Sequence, residues 1–282
     1  MDGILLCDKP AGITSHDVVA GVRRRLGHGV KVGHAGTLDP FATGLLLVLV
    51  GRGTRVQRFV MALPKRYEVV ARFGAVSSTG DPEGEIVPTG VVPTGDLALP
   101  TGRIMQRPPA YSAVKVGGRR AYALARAGET VELAEREVEV LAFDESWRSG
   151  DRRAFVIECS SGTYVRSLIA DLGDAYCETL RRTRIGTFDV GDADPERLLG
   201  LNEGLAFLPE RRLGPEDARR ASHGVAVPRF APEDARTGQD VAAPGTAAAV
   251  VRLTDADGLI ALAEPTSDPE MLKPIVGLRP AS

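Results

Sequence analysis

The most apolar run of the chain, Leu45-Leu46-Leu47-Val48-Leu49-Val50, is bracketed by Gly44 and Gly51. It is far shorter than the roughly 20 residues a membrane helix needs, so it reads as a buried strand and no membrane span is expected. The remaining composition is that of a globular chain: 282 residues, 43% hydrophobic and 26% charged, enough to bury one large core or two unequal ones. The opening Met1-Asp2-Gly3-Ile4-Leu5-Leu6-Cys7-Asp8 has no basic segment before its apolar residues, so no secretory signal is expected. Three widely spaced cysteines, Cys7, Cys159 and Cys177, argue against a disulfide framework and for a reducing, cytoplasmic setting. His16, His28, His34 and His223 never fall at metal-ligand spacing, and no metal site is expected.

The formal net charge of −2 hides an uneven distribution. Residues 1–126 hold 17 Lys and Arg against 9 Asp and Glu, net +8, whereas residues 127–282 hold 18 against 28, net −10. A basic N-terminal part is suited to gripping phosphates, although scattered cations also serve merely to solvate helix faces.

Local patterns predict a strand-rich α+β chain. Gly3 to Cys7 reads as a strand and Asp8 to Gly12 as a turn. A helix capped by Thr14 or Ser15 follows, with Val18, Val19, Val22 and Leu26 on one face and Arg23, Arg24 and Arg25 towards solvent. Residues 34–44 read as a loop, Val56 to Leu63 as a helix, and the alternation from Tyr67 to Phe73 as a strand. The stretch from Gly80 to Pro109 carries a turn at Gly80–Gly84 and no assigned element. Beyond it the pattern gives a strand over Tyr111–Val116, a turn at Gly117-Gly118 and a helix near Ala121 to Arg126. Strands near Val138 to Phe143 and Arg153 to Cys159 follow, and then a helix marked by Val165, Leu168, Ile169 and Leu172. A boundary is predicted near residue 210, and beyond it two short strands, Ala248 to Leu253 and Leu259 to Ala263.

One loop carries a candidate for chemistry. In Gly36-Thr37-Leu38-Asp39-Pro40-Phe41-Ala42-Thr43-Gly44 the glycines allow close approach to a ligand, and Pro40 holds Asp39 extended. By itself an Asp-Pro pair serves a turn as readily as a reaction.

Five segments together carry more information. Gly33 to Pro40, with its Gly-Thr-Leu-Asp-Pro sequence, resembles the signature of the TruB family of tRNA pseudouridine synthases. Gly3-Ile4-Leu5-Leu6-Cys7-Asp8-Lys9-Pro10-Ala11-Gly12 is similar to that family's opening strand and lysine turn, and Lys65-Arg66-Tyr67 to its tyrosine segment. Pro108-Pro109-Ala110-Tyr111-Ser112-Ala113-Val114-Lys115 and Cys159-Ser160-Ser161-Gly162-Thr163-Tyr164-Val165-Arg166-Ser167-Leu168 match further blocks in the family's order. Two stretches are shorter than in the family, between Pro88 and Gln106 and between Leu172 and Leu180.

The resemblance implies an α/β (α+β) pseudouridine synthase fold with a large mixed, mainly antiparallel sheet flanked by helices. It implies a catalytic domain over 1–209 and a small β-rich PUA-like RNA-binding domain over 210–282. The implied activity is conversion of uridine to pseudouridine at position 55, in the T-loop of tRNA, by a monomer that flips the base out of the stack and uses no cofactor. Asp39 is the implied catalytic aspartate, either attacking covalently or acting as a base toward the ribose. Tyr67 is expected to stack on the flipped uracil, and Arg166 to pair with Asp39 and depress its pKa. His34 is expected to enter the space the nucleotide vacates, Leu180 to wall the pocket, and Lys9 to contact phosphate or support the Asp39 loop. Lys115, Arg119, Arg181 and Arg182 are the expected tRNA-facing cations. Two other readings stay open: an RNA-folding protein in which catalysis is secondary, and a nucleoside glycosidase that would release uracil.

Overall fold

The computed structural model describes residues 1–279 apart from 28, 113, 117, 128, 130–132 and 231–249, and only the backbone of 115, 116, 120, 123, 125 and 126. The chain opens with β1 (Gly3–Lys9), α1 (Ser15–Leu26), β2 (Val32–Ala35) and β3 (Thr43–Val50). A 3-10 turn (Gly51–Val56) runs into α2 (Gln57–Ala62), then β4 (Lys65–Phe73) and the small hairpin β5 (Ala75–Ser77) and β6 (Ile86–Pro88). Next come β7 (Gly102–Gln106), an arm of β8 (Lys115–Val116), β9 (Arg119–Arg120) and α3 (Ala121–Arg126), and the long pair β10 (Arg136–Ser149) and β11 (Arg152–Cys159). Helix α4 (Val165–Ala170), β12 (Ala175–Ile185), β13 (Phe188–Asp189), β14 (Asp194–Gly200) and α5 (Leu201–Gly204) complete the larger unit. The remainder forms β15 (Glu210–Arg212), α6 (Pro215–Ser222), β16 (Val227–Pro228), β17 (Val251–Asp255), β18 (Gly258–Pro265) and β19 (Met271–Gly277).

Ten strands form the main sheet in the order β14-β1-β3-β12-β4-β11-β10-β7, with β2 on β3 and β13 on β12. Its pairings are antiparallel except one: β12 runs parallel to β3, through Arg181 opposite Thr43 and Arg182 opposite Gly44. The apolar run at 45–50 lies in the interior of this sheet. Leu45, Leu47 and Leu49 pack with Val56, Val60 and Phe188 on one face, while Leu46, Val48 and Val50 pack with Val19 and Val22 of α1 on the other. Both faces are covered, which is why the run is continuously apolar rather than alternating.

Helix α1 starts as its sequence predicts. The Thr14 side chain caps the Asp17 amide, and Asp17 reaches back to the Thr14 amide in a reciprocal capping box. The structure departs from the sequence reading at several elements, and strands such as β12, β14 and β19 are not among those expected. His34 belongs to β2 rather than to a loop, the edge strand β7 lies in the unassigned stretch, and the strand expected over Tyr111–Val116 is confined to β8, with residues 113 and 117 outside the described set. Of the strand expected from Ala248, residues 248 and 249 also lie outside it.

The second sheet has five strands, β15-β17-β18-β19-β16, with α6 packed on it. It shares a core with the first: Leu262 and Leu278 belong to the same buried cluster as Ile4, Leu47 and Leu205. Arg52 and Arg55 add donors to the carbonyls of Leu278 and Gly277, each at 2.8 Å. Among the described residues no helix is long and apolar enough to cross a membrane.

Candidate active site

The loop between β2 and β3 is fixed on both sides of Asp39. Lys9, at the end of β1, is fully buried, and its ammonium donates to the carbonyls of Pro10 at 2.9 Å, Ile13 at 2.8 Å and Pro40 at 3.1 Å. The Gly12 amide donates to the same Pro40 carbonyl at 2.9 Å. On the other side Ser15 binds Leu38, accepting from its amide at 2.9 Å and donating to its carbonyl at 3.2 Å. Lys9 thus supports the Asp39 loop and is not available to phosphate. Burial lowers its pKa, while the nearby Asp39 charge works the other way.

Arg166 enters from the first turn of α4. Its Nε lies 2.9 Å from Asp39 Oδ2, joining residues 127 positions apart. The same guanidinium reaches Asp81 Oδ2 at 3.2 Å and donates to the carbonyls of Thr79 at 2.6 Å and Tyr111 at 2.8 Å. A cation only 4% exposed is tolerable because two carboxylates and two carbonyls replace its water. Asp81 is buried too, accepting from Thr79 Oγ1 at 2.5 Å and from the Glu83 amide at 3.0 Å. Its loop docks on β12 through the Gly80 carbonyl, which accepts from the Cys177 amide at 3.0 Å.

Asp39 keeps about a third of its side chain (34%) open to solvent, but the groups around it are largely protein. Desolvation therefore raises its pKa above the ordinary carboxylate value, Asp81 adds to the rise, and Arg166 and Lys9 pull it back only in part. Arg166 lowers the pKa as expected, but the cost of removing the carboxylate from water outweighs the ion pair, so the net shift is upward. The result is a carboxylate held in one direction by Arg166 and short of water, which suits a nucleophile or a base.

Tyr67 begins its strand beside this pair, buried within a cluster that includes Leu38, Ala42 and Leu180. It stands opposite Arg182 in the β4–β12 register, with the Arg182 charge close enough to act on its hydroxyl. Burial raises the phenol pKa, and the Arg182 charge opposes the rise.

Arg182 corrects the sequence reading. It is 1% exposed, and its guanidinium donates to the Leu45 carbonyl at 2.8 Å and the Gly36 carbonyl at 3.1 Å. The sequence reading places Arg181 and Arg182 on one RNA-facing surface, but consecutive residues of a strand point to opposite faces. Arg181 is the outer one, bonded to Asp8 at 2.7 Å and partly exposed. Behind Arg182, Gly44 adopts φ +104°, and a Cβ there would lie 2.2 Å from the Arg182 carbonyl oxygen. Only glycine permits the parallel strands to approach so closely.

The other expected residues are more dispersed. Leu180 lines the cluster around Tyr67. The His34 ring stands edge-on to His16, with centroids 5.7 Å apart, while its carbonyl accepts from Gln57 Nε2 at 2.7 Å. Arg119 lies on the arm in an exposed pair with Glu129 at 3.0 Å, and the Lys115 side chain is outside the described set. The segment between Pro88 and Gln106 is tied down by Arg153, which donates to the carbonyls of Pro93 at 2.5 Å and Gly95 at 2.9 Å.

Sequence reasoning missed Asp81, whose Asp81-Pro82 pair repeats the Asp39-Pro40 dipeptide and was read as a turn. It also missed Ser15 as a partner of Leu38, and Gln106. The Gln106 amide donates to the Tyr164 carbonyl at 3.0 Å and accepts from the Tyr164 amide at 2.8 Å, just ahead of Arg166.

Comparison with known proteins gives the family. Residues 23–165 match the family model described as TruB family pseudouridylate synthase (N terminal domain). The chain belongs to the TruB family. It is 46% identical over 255 residues to tRNA pseudouridine synthase B of Thermobifida fusca (strain YX), covering 79% of this chain and 85% of that relative. A relative of the same description from Mycobacterium sp. (strain KMS) is 40% identical over 307 residues, covering 99% of this chain and 97% of its own. The fold is shared with a chain of an H/ACA RNP bound to a substrate RNA containing 2′-deoxyuridine, at TM-score 0.69 and 21% identity over 99% of this chain and 86% of that one. A chain of a Cbf5-Nop10-Gar1 complex aligns at TM-score 0.66 and 25% identity, covering 99% of this chain and 85% of its own. Within the TruB family, then, this chain presents one partly open carboxylate, Asp39, set by Arg166 beside a buried tyrosine.

Proposed function

We propose that this chain converts uridine to pseudouridine in tRNA, at position 55 of the T-loop, with Asp39 as the essential carboxylate. The observation that carries the reading is the Asp39–Arg166 contact of 2.9 Å, which presents a partly solvent-open, desolvated carboxylate beside Tyr67. Relatives 40–46% identical bear the name tRNA pseudouridine synthase B, which supports the substrate class. In the reaction the C1′–N1 bond breaks, the uracil turns while held, and C1′ joins C5. The C5 proton leaves and N1 gains one, with no net oxidation. Asp39 assists at the ribose or the base, and Tyr67 stacks on the detached uracil, its phenol taking part in removal of the C5 proton by passing on its own proton as it accepts one.

The target base has to leave its stack, so shape and phosphate contacts dominate binding and affinity falls with salt. Residues 1–209 carry the chemistry, and 210–282 serve as a PUA-like domain gripping the tRNA, the enzyme working as a cytoplasmic monomer. Arg181, Arg119 and Lys115 are the proposed phosphate contacts, with His34 filling the vacated nucleotide's place and Leu180 walling the pocket. The test is pseudouridine mapping of a tRNA transcript after incubation with wild type and with Asp39→Asn, with free uracil measured alongside. Pseudouridine at position 55 with wild type alone supports the reading. Free uracil would make the chain a glycosidase, and an RNA-folding effect surviving in Asp39→Asn without any pseudouridine would make it a folding factor.

A further inference from the structure

The two partners of the ion pair arrive on separate segments, and on each a buried neutral side chain bonds both the N–H and the C=O of a single residue; the ammonium of Lys9 adds a further bond at Pro40. Ser15, 2% exposed, both accepts from and donates to Leu38, the residue before Asp39. Gln106, also 2% exposed, both accepts from and donates to Tyr164, two residues before Arg166. Neither touches a reacting group. A hydroxyl and a carboxamide, each with donor and acceptor, satisfy one backbone N–H and one C=O together and fix the local chain against sliding and rotation.

We propose that Ser15 and Gln106 are a pair of positioning residues, acting from opposite sides to hold the carboxylate of Asp39 and the guanidinium of Arg166 in register. This rests on the isomerase reading above. Three features around the clamps fit the assignment. Thr14 already caps α1, so Ser15 is not needed for that task. The Ser167 hydroxyl donates to the Arg107 carbonyl at 3.2 Å, so α4 is bound along the segment that Gln106 begins. Arg166 itself closes that seam at the Tyr111 carbonyl, so a shift of 106–111 displaces the guanidinium directly. Misplacement of about 1 Å costs on the order of 100-fold in rate, so clamps of this kind act on the chemical step and leave binding alone.

The test is single-turnover conversion of a tRNA transcript by the full chain, with tRNA affinity and melting temperature, for wild type, Ser15→Ala, Gln106→Met and the double variant. Each single variant is expected to slow conversion by about 10- to 100-fold, with affinity within about twofold. The double variant should lose less than the product of the two, because an ion pair already out of register loses little more. Ser15→Thr, which keeps the hydroxyl, and Gln106→Glu, which keeps an acceptor for the Tyr164 amide, should recover part of the rate. Wild-type rates in both single variants, losses confined to affinity, or a fully multiplicative double variant would overturn the proposal. If Ser15→Ala melts too low to assay, Ser15→Cys takes its place, and the Gln106 variants carry the same test separately. Should wild type make no pseudouridine, the isomerase reading falls on its own. Hydrogen exchange at the Ala42 amide, which bonds the Asp39 carbonyl at 3.1 Å, then decides the clamp: faster exchange in Ser15→Ala sustains it and unchanged exchange ends it.

Discussion

Asp81 contacts Arg166 at 3.2 Å through a nitrogen other than the one that faces Asp39. The guanidinium is therefore shared between a carboxylate sealed in the interior and one that meets solvent, and each can be removed without leaving the cation unpaired.

Asp39→Asn should lower pseudouridine formation by roughly three orders of magnitude or more with little change in tRNA affinity. The fold should not suffer. A raised folded pKa means that the folded protein binds the proton more tightly than the unfolded chain, whose aspartate titrates near ~3.9. Stability therefore declines as pH rises through the window above that value, and the desolvated carboxyl burdens the fold there. Asn removes the burden, so its melting temperature at pH 7.5 should equal or exceed that of wild type, with the difference vanishing near pH 4. A variant clearly less stable than wild type at pH 7.5 would contradict the sign.

Arg166→Ala has the opposite character. It strands Asp39 and the buried Asp81 together, a change that typically costs ~3–5 kcal/mol. The acidic limb of the single-turnover rate, already above the ordinary aspartate range, should move further up, and Arg166→Lys should restore only part because an ammonium lacks the planar fork. The measurement is rate against pH beside urea unfolding; an unmoved limb would separate Arg166 from Asp39's titration.

The neighbours Arg181 and Arg182 should part company. Arg181→Ala should weaken tRNA binding, reduce the slope of log affinity against log salt by about 0.7–0.9, and leave the melting temperature nearly unchanged. Arg182→Ala should unfold more readily, by ~3 kcal/mol or more, since it deprives Leu45 O and Gly36 O of their donor. Salt titration of binding and thermal melts of both variants decide the matter.

Alkali should expose the buried thiols. Burial pushes Cys7 and Cys159 up to about 11 and Cys177 higher still, against ~8.5 in an unfolded chain. The folded state then holds protons that the unfolded state has lost, and stability falls as pH rises through that window. Lys65, lowered by burial to about 8, and Lys9, also lowered by burial, work the other way, but they are two groups against three thiols and the Tyr67 phenol, which burial raises. Urea unfolding should show a loss of about 2 kcal/mol or more from pH 8 to pH 10, with a shallower slope in Cys177→Ala.

Deleting residues 210–282 should weaken tRNA binding while turnover at saturating RNA stays detectable. It should also lower the melting temperature, because Leu262 and Leu278 leave the cluster they share with Ile4 and Leu205. Loss of all turnover in a truncation that still melts cooperatively would show that the second sheet belongs to the active unit.

How far the sequence revealed the molecule depended on whether a feature was local. The capping of α1 by Thr14, the alternation of β4 and the buried run at 45–50 were legible because cap chemistry and period-two burial act over a few residues. The candidate residues of the site were found by resemblance, since nothing in an Asp-Pro pair distinguishes Asp39 from Asp81. The inward turn of Arg182 needed the strand assignment of 175–185, which charge alone obscured. The rise in Asp39's pKa needed the depth of its setting, which no spacing reports.

The pairing of β12 between β3 and β4 also bears on the order in which the chain assembles. Strands β3 and β4 follow one another in sequence, yet the ribbon that separates them is made more than 100 residues later. A growing polypeptide emerging from the ribosome at roughly 5–20 residues per second must keep the gap between them open for several seconds. The parallel contact at Gly44 is the last wedge in the sheet, so the pocket closes around Tyr67 only after Arg182 has been synthesised. Asp39 itself waits less long: its guanidinium partner Arg166 is made 16 residues before Arg182, so the ion pair can form before the wedge is in place.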